Sequence, residues 1–144
     1  MEKGAKDQAL GRSQGRLTTK IHMQADTLGR PLRFRITSGQ ASGIASAPAL
    51  LEGQRAKAVL ADKAYDSNDL RDQIAGTDAE AVIPSKRNRK VAIPHDDAIY
   101  KHRNKIERCF GRLKHFRRFA TRCDRRTFHF NGFIHLAAVM NWLR

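Results

Sequence analysis

Two short apolar runs, separated by a helix-like segment, most constrain what this chain can fold into. Ala58-Val59-Leu60-Ala61 and Ala81-Val82-Ile83 are each bounded by polar or helix-breaking residues. Continuous apolar runs this short fit strands buried on both faces. The first run ends in Asp62 and the second is stopped by Pro84. Between them, Asp66-Ser67-Asn68 opens a helix that reaches about Ile74 and is closed by Gly76. Strands interleaved with helices indicate an α/β domain, a mixed sheet with flanking helices.

The flanking segments extend this pattern. From about Leu17 to Thr37, apolar and polar residues alternate with a period of two around Asp26-Thr27-Leu28-Gly29-Arg30-Pro31, which predicts a β-hairpin. A helix is expected over Ser46 to Gln54, with Ser46 as N-cap and Pro48 in the first turn. Ser85 to Asp96 reads as a basic loop, followed by a long helix from about Ala98 to Lys114. A closing helix over Phe128 to Leu143 would bury Phe130, Ile134, Ala137, Ala138 and Leu143, with Trp142 packed on the core and His129 and His135 in structural roles. Residues 1–12 form a polar, Gly-containing lead-in expected to be poorly ordered, which leaves 13–144 as the domain.

The long helix carries unusual chemistry. Tyr100, Arg103, Glu107 and Lys114 are spaced three, four and seven residues apart, so a helix of 3.6 residues per turn places them on one face. Ile106, Phe110 and Leu113 form a separate apolar stripe that would pack the helix down, and Cys109 lies close to that stripe as a small core residue. A carboxylate among cations is thereby presented on a helix anchored elsewhere.

Charge narrows the choice of partner. The 144 residues carry a formal net charge of +14, which points to nucleic acid. The distribution is uneven: Tyr100 to Arg126 holds eleven Lys/Arg against Glu107 and Asp124, and Lys86, Arg87, Arg89 and Lys90 form a second cluster. Aromatic residues make up only 7% of the chain, and Tyr65, Tyr100 and Trp142 form no stacking series on predicted strands. That argues against a single-strand or ribosomal RNA binder. Cys109 and Cys123 have no metal-ligand spacing, and no apolar run reaches transmembrane length. The expected location is the cytoplasm, at the nucleoid.

Asp62 stands at the C-terminal end of a predicted strand, the edge where ligand sites of α/β sheets gather. A carboxylate there is either a turn or capping residue or a metal ligand. Paired with Glu107 in a basic chain, it suits a site that cuts nucleic acid, because Mg²⁺ takes one or two carboxylates plus waters and phosphate oxygens.

Ala61-Asp62-Lys63-Ala64-Tyr65-Asp66-Ser67 together with Tyr100-x2-Arg103-x3-Glu107-x6-Lys114 resembles the DDE transposases of bacterial insertion sequences, most of all the C-terminal portion of the group numbered five. Gly11-Arg12-Ser13, Thr18 to His22, Gly39-Gln40, Phe116 to Arg118 and Thr121-Arg122 share the likeness, which covers about residues 10 to 143. The resemblance implies a ribonuclease-H-like fold and Mg²⁺-dependent cutting and joining of double-stranded DNA at element ends. By position, Asp62 and Glu107 match catalytic, metal-binding carboxylates, and Tyr100, Arg103 and Lys114 match accessory positions. Lys86, Arg87, Arg117 and Arg118 are further candidates for the DNA backbone.

The family's first catalytic aspartate has no match here: Asp7 lies in the polar lead-in and Asp26 in the hairpin turn. An acidic residue common in the family shortly after Gly-Gln is also missing, since Gly39-Gln40-Ala41-Ser42 runs into Gly43. The resemblance thus implies an incomplete ribonuclease-H-like domain without its first strand. Such a chain would be the downstream part of a transposase, inert alone, and active in at least two copies when joined to an upstream-frame polypeptide. The alternatives are a non-catalytic basic DNA-binding protein and a degenerate transposase remnant.

Overall fold

The computed structural model describes residues 11–13, 16–117 and 127–143. They fall into two compact units, one formed by 1–41 with 105–144 and one by 42–104. The described strands form two small sheets, one antiparallel and one parallel, and not the single mixed sheet expected.

In the first unit, strands β1 (Gly11–Ser13), β2 (Arg16–Ala25) and β3 (Pro31–Ser38) make an antiparallel meander. Strand β1 begins inside the segment read as a lead-in. The expected hairpin is present, with Ile21 opposite Ile36 and Met23 opposite Phe34. Met23 belongs to a buried cluster with Cys109, Leu113, Phe130, Ile134 and Ala137, and Ile21, Phe34 and Ile36 pack against it. The cluster is completed by helices α4 (Asn104–Lys114) and α5 (Thr127–Trp142).

Asp26 closes the hairpin turn. Its Oδ1 accepts from the amides of Leu28 and Arg30, both at 2.9 Å, and its Oδ2 from Arg30 Nε at 2.8 Å. Gly29 adopts φ +76°, and a Cβ there would lie 3.1 Å from the Lys105 carbonyl oxygen, so the turn requires glycine. Arg112 ties the elements together by donating to Asn141 Oδ1 at 2.8 Å and to the Gly29 carbonyl at 2.9 Å.

Two expectations for the closing helix fail. Leu143 is 82% exposed, because it falls on the face opposite Phe130, Ile134 and Ala137. Trp142 is 41% exposed: its indole N–H donates to the Pro31 carbonyl at 2.7 Å, and the Arg30 guanidinium lies 4.0 Å from its ring centre. An indole with one polar partner and one cation on its face belongs at a rim. His135 is structural as expected, its Nδ1 paired with the Asn131 carbonyl oxygen at 2.8 Å.

The second unit is built on strands β4 (Ala58–Leu60) and β5 (Glu80–Val82), which pair in parallel. A parallel pair needs a crossover connection, supplied by a 3₁₀ turn at Lys63–Tyr65 and helix α2 (Asn68–Ala75). Ser67 caps α2 by accepting from the Leu70 amide at 3.2 Å, and Gly76 ends it, but the left-handed residue beyond is Asp78, at φ 59°. Val82 and Ile83 are fully buried, whereas β4 is only half-buried and not covered on both faces as expected.

Helix α1 (Gly43–Leu51) starts three residues before the predicted Ser46 cap. Ser46 is instead buried on the face shared with Ala47 and Leu50, which places Pro48 in the helix interior, where it lacks the N–H that would reach Ile44. The predicted long helix is interrupted: α3 (Asp97–Tyr100) passes through a 3₁₀ turn at Lys101–Arg103 before α4 begins.

Candidate functional site

Asp62 follows β4 and caps the 3₁₀ turn, its Oδ1 accepting from the Ala64 amide at 2.7 Å. The capping role weighed from sequence is therefore real, and it leaves the second carboxylate oxygen for another partner. Tyr65, at the end of that turn, packs over the start of α1. A Cβ on Gly43 would lie 3.1 Å from the Tyr65 hydroxyl. That close approach leaves little room for a side chain at position 43. Burial, and then the Asp62 charge, push the Tyr65 hydroxyl above its usual pKa.

Of the four helix-face residues, Tyr100 and Arg103 are in contact. In a 3₁₀ turn, positions three apart eclipse, and Arg103 accordingly sits 5.8 Å above the Tyr100 ring. His95 makes a T-shaped contact with the same ring, the two ring centres 5.3 Å apart. Glu107 and Lys114 are two turns apart on α4 and both exposed, on the side away from the fully buried Cys109 and Leu113. Asp62 and Glu107 belong to different compact units. Among the described residues, no group of three His, Cys, Asp or Glu could hold a metal ion. Arg117 is exposed at the end of its segment, and Arg118 lies outside the described residues.

The strongest electrostatic feature was not anticipated. Asp66, 4% exposed, accepts from Arg71 Nε at 2.8 Å, from Arg89 Nη2 at 2.7 Å and Nε at 2.9 Å, and from the Lys86 amide at 2.7 Å. The Arg89 guanidinium, then the Lys86 amide and Arg71, hold its carboxyl well below the usual carboxylate range, against the opposing effect of burial. Arg71 also donates to the Ile83 carbonyl at 2.8 Å, and Arg89 to Asn68 Oδ1 at 2.9 Å.

This clamp fastens the predicted basic loop to α2. The loop base is closed separately, because Ser85 Oγ accepts from the Ile93 amide at 2.7 Å and donates to its carbonyl at 3.2 Å. Asp96 then caps α3. An open depression of about 290 Å³ lies beside the clamp, lined by Asp66, Asn68, Lys86, Asn88 and Arg89. The sequence did hold one signal for the clamp. Arg71 lies three residues before buried Ile74, in phase with the apolar side of α2, and a guanidinium placed there must find a carboxylate.

A family profile described as "Transposase DDE domain" matches residues 2–142. A Brucella ovis protein named as a candidate transposase for insertion sequence element IS6501 is 41% identical over 130 residues, covering 89% of this chain and all of that relative. A Burkholderia cepacia protein named as a candidate transposase for insertion sequence element IS402 is 27% identical over 134 residues; the match covers 85% of this chain but 61% of that longer relative. No solved structure matches. The chain belongs to the DDE transposase family. Its relatives are the transposases of insertion sequence elements, as the Asp62 and Glu107 motifs indicated.

No helix among the described residues is long and apolar enough to cross a membrane. The ribonuclease-H-like sheet expected from the resemblance is not reproduced as one sheet, but small sheets with flanking helices agree with an α/β class.

Proposed function

We propose that this chain is the C-terminal catalytic part of an insertion-sequence transposase. It binds double-stranded DNA at element ends and takes part in Mg²⁺-dependent strand cleavage and transfer. Family membership carries this reading, supported by the +14 charge and by a carboxylate, Glu107, exposed on a cationic helix. Asp62 and Glu107 would hold Mg²⁺, which when bound stabilises charge on the attacking and leaving oxygens. Lys114, two turns from Glu107, would neutralise a phosphate beside the cut. Arg103, braced on Tyr100, would hold the DNA backbone.

By the resemblance, the first aspartate of the triad has no match in this chain, and Asp26 serves the hairpin turn. The isolated chain is accordingly expected to bind DNA without cutting it, and to act as an oligomer once joined to a segment that supplies that aspartate. The test is a nicking assay on duplex DNA with the purified chain and Mg²⁺. The expected result is salt-sensitive binding with no cleavage. Mg²⁺-dependent cleavage by the chain alone, abolished by Glu107→Ala, would overturn the inert reading. Tighter binding by Glu107→Gln, with no activity under any complementation, would favour a plain DNA-binding protein or remnant.

A further inference from the structure

Four cations crowd positions 86–90, yet they are not equivalent. Arg89 is turned inward, held by both oxygens of Asp66 and by Asn68. Arg87 and Lys90 are exposed and Lys86 is half-buried, and the side chains of these three make no ion pair among the described residues. Left alone, such a run of like charges repels itself and spreads over many conformations. Here a buried carboxylate beneath it, bonded to Arg89 and the Lys86 amide, and the Ser85–Ile93 clasp tie the loop down.

We propose that Asp66 is a positioning residue for DNA binding: through Arg89 and the Lys86 amide it holds the 85–93 loop so that Lys86, Arg87 and Lys90 meet the phosphate backbone of a duplex. This rests on the reading that the chain binds DNA, and it assigns the contact surface. A loop ordered before the encounter loses less freedom on binding. Lysine and arginine contacts to phosphates carry no base readout, so the contact is independent of sequence. Arg89 acts through Asp66 and not as a phosphate ligand.

The experiment is fluorescence anisotropy of the purified full chain with a short duplex of arbitrary sequence, titrated across a salt series. Each phosphate contact contributes about 0.9 to the slope of log affinity against log salt. Replacing Lys86, Arg87 and Lys90 together by Gln should lower the slope by about three such contacts. Asp66→Asn removes a negative charge and raises the net charge from +14 by one. Charge alone would then tighten binding; the clamp instead requires binding about tenfold weaker and a slope lowered nearly as far as in the triple variant. Trypsin should also cut the 86–90 segment faster in the free Asp66→Asn protein.

Unchanged or tighter binding by a folded Asp66→Asn variant, with the wild-type slope, overturns the proposal. Should that variant not fold, Arg89→Gln decides, because it leaves the Asp66–Arg71 pair in place. A slope loss well beyond one contact supports the clamp, and a loss of about 0.9 makes Arg89 an ordinary phosphate ligand and overturns it. A wild-type chain that does not bind DNA at all overturns the functional reading itself, and this inference with it.

Discussion

The two units hold themselves together by different physics. The first has a three-stranded meander and two helices closing on an apolar cluster in which Cys109, Leu113 and Ile134 are fully buried and Phe130 and Ala137 nearly so. The second has two strands of three residues each and a smaller cluster of Ala47, Leu70, Ile74, Ala79 and Ile83. A short parallel pair supplies few ladder hydrogen bonds, and alanine buries little area. There a buried carboxylate between two guanidinium groups joins α2, the end of β5 and the basic loop. An apolar core tolerates volume-conserving change, whereas an ionic clamp fails when one member is lost.

This contrast is broken most sharply at Asp66. Asp66→Ala leaves buried Arg71 without its carboxylate, a loss of about 3–5 kcal/mol for a buried pair, and releases Arg89. Hydrogen exchange should show the amides of α2 and β5 losing protection while those of α5 keep theirs. Equal loss in both units would erase the distinction. Leu113→Ala is the counterpart in the first unit, expected to cost about 2–5 kcal/mol through lost burial and the cavity left behind. Its signature is lost protection in α4 and α5; a loss under about 1 kcal/mol would mean the cluster refills the space.

Acid sharpens the comparison with smaller effects. Asp66 has a lowered pKa in the folded chain, caused first by Arg89, so its stabilisation is present above the unfolded value of about 3.9 and is lost as pH falls below it. His22, in the first unit, has its pKa lowered by burial and then by Lys20 and Arg35. Protonation favours unfolding there, and stability begins to fall below about pH 6.5. Thermal melts from pH 7 to 3 should therefore show a mild early loss removed by His22→Gln and a later one removed by Asp66→Asn. A single transition insensitive to both substitutions would contradict this assignment.

Much of the fold was legible locally. The hairpin, the Ser67 cap and Gly76 stop of α2, the β5 run and the buried side of α5 follow from period, turn residues and capping, all features of a few consecutive residues. The family was legible in Ala61-Asp62-Lys63-Ala64-Tyr65-Asp66-Ser67 together with the spacing of Tyr100, Arg103, Glu107 and Lys114. Less legible were the start of α1, where Ser46 looked like a cap but faces inward, and the 3₁₀ turn that separates α3 from α4. Both depend on which face a neighbour covers.

The chain's own residues were enough to specify its periods, its charge and its motif, because those properties live within a turn or two of backbone. Which charges face solvent was decided only in three dimensions. Asp66 and Arg89 are 23 residues apart in sequence, and nothing local distinguishes Arg89 from Arg87. The cost of burying a carboxylate without partners forces that choice, and its partners exist only once α2, β5 and the basic loop have come together.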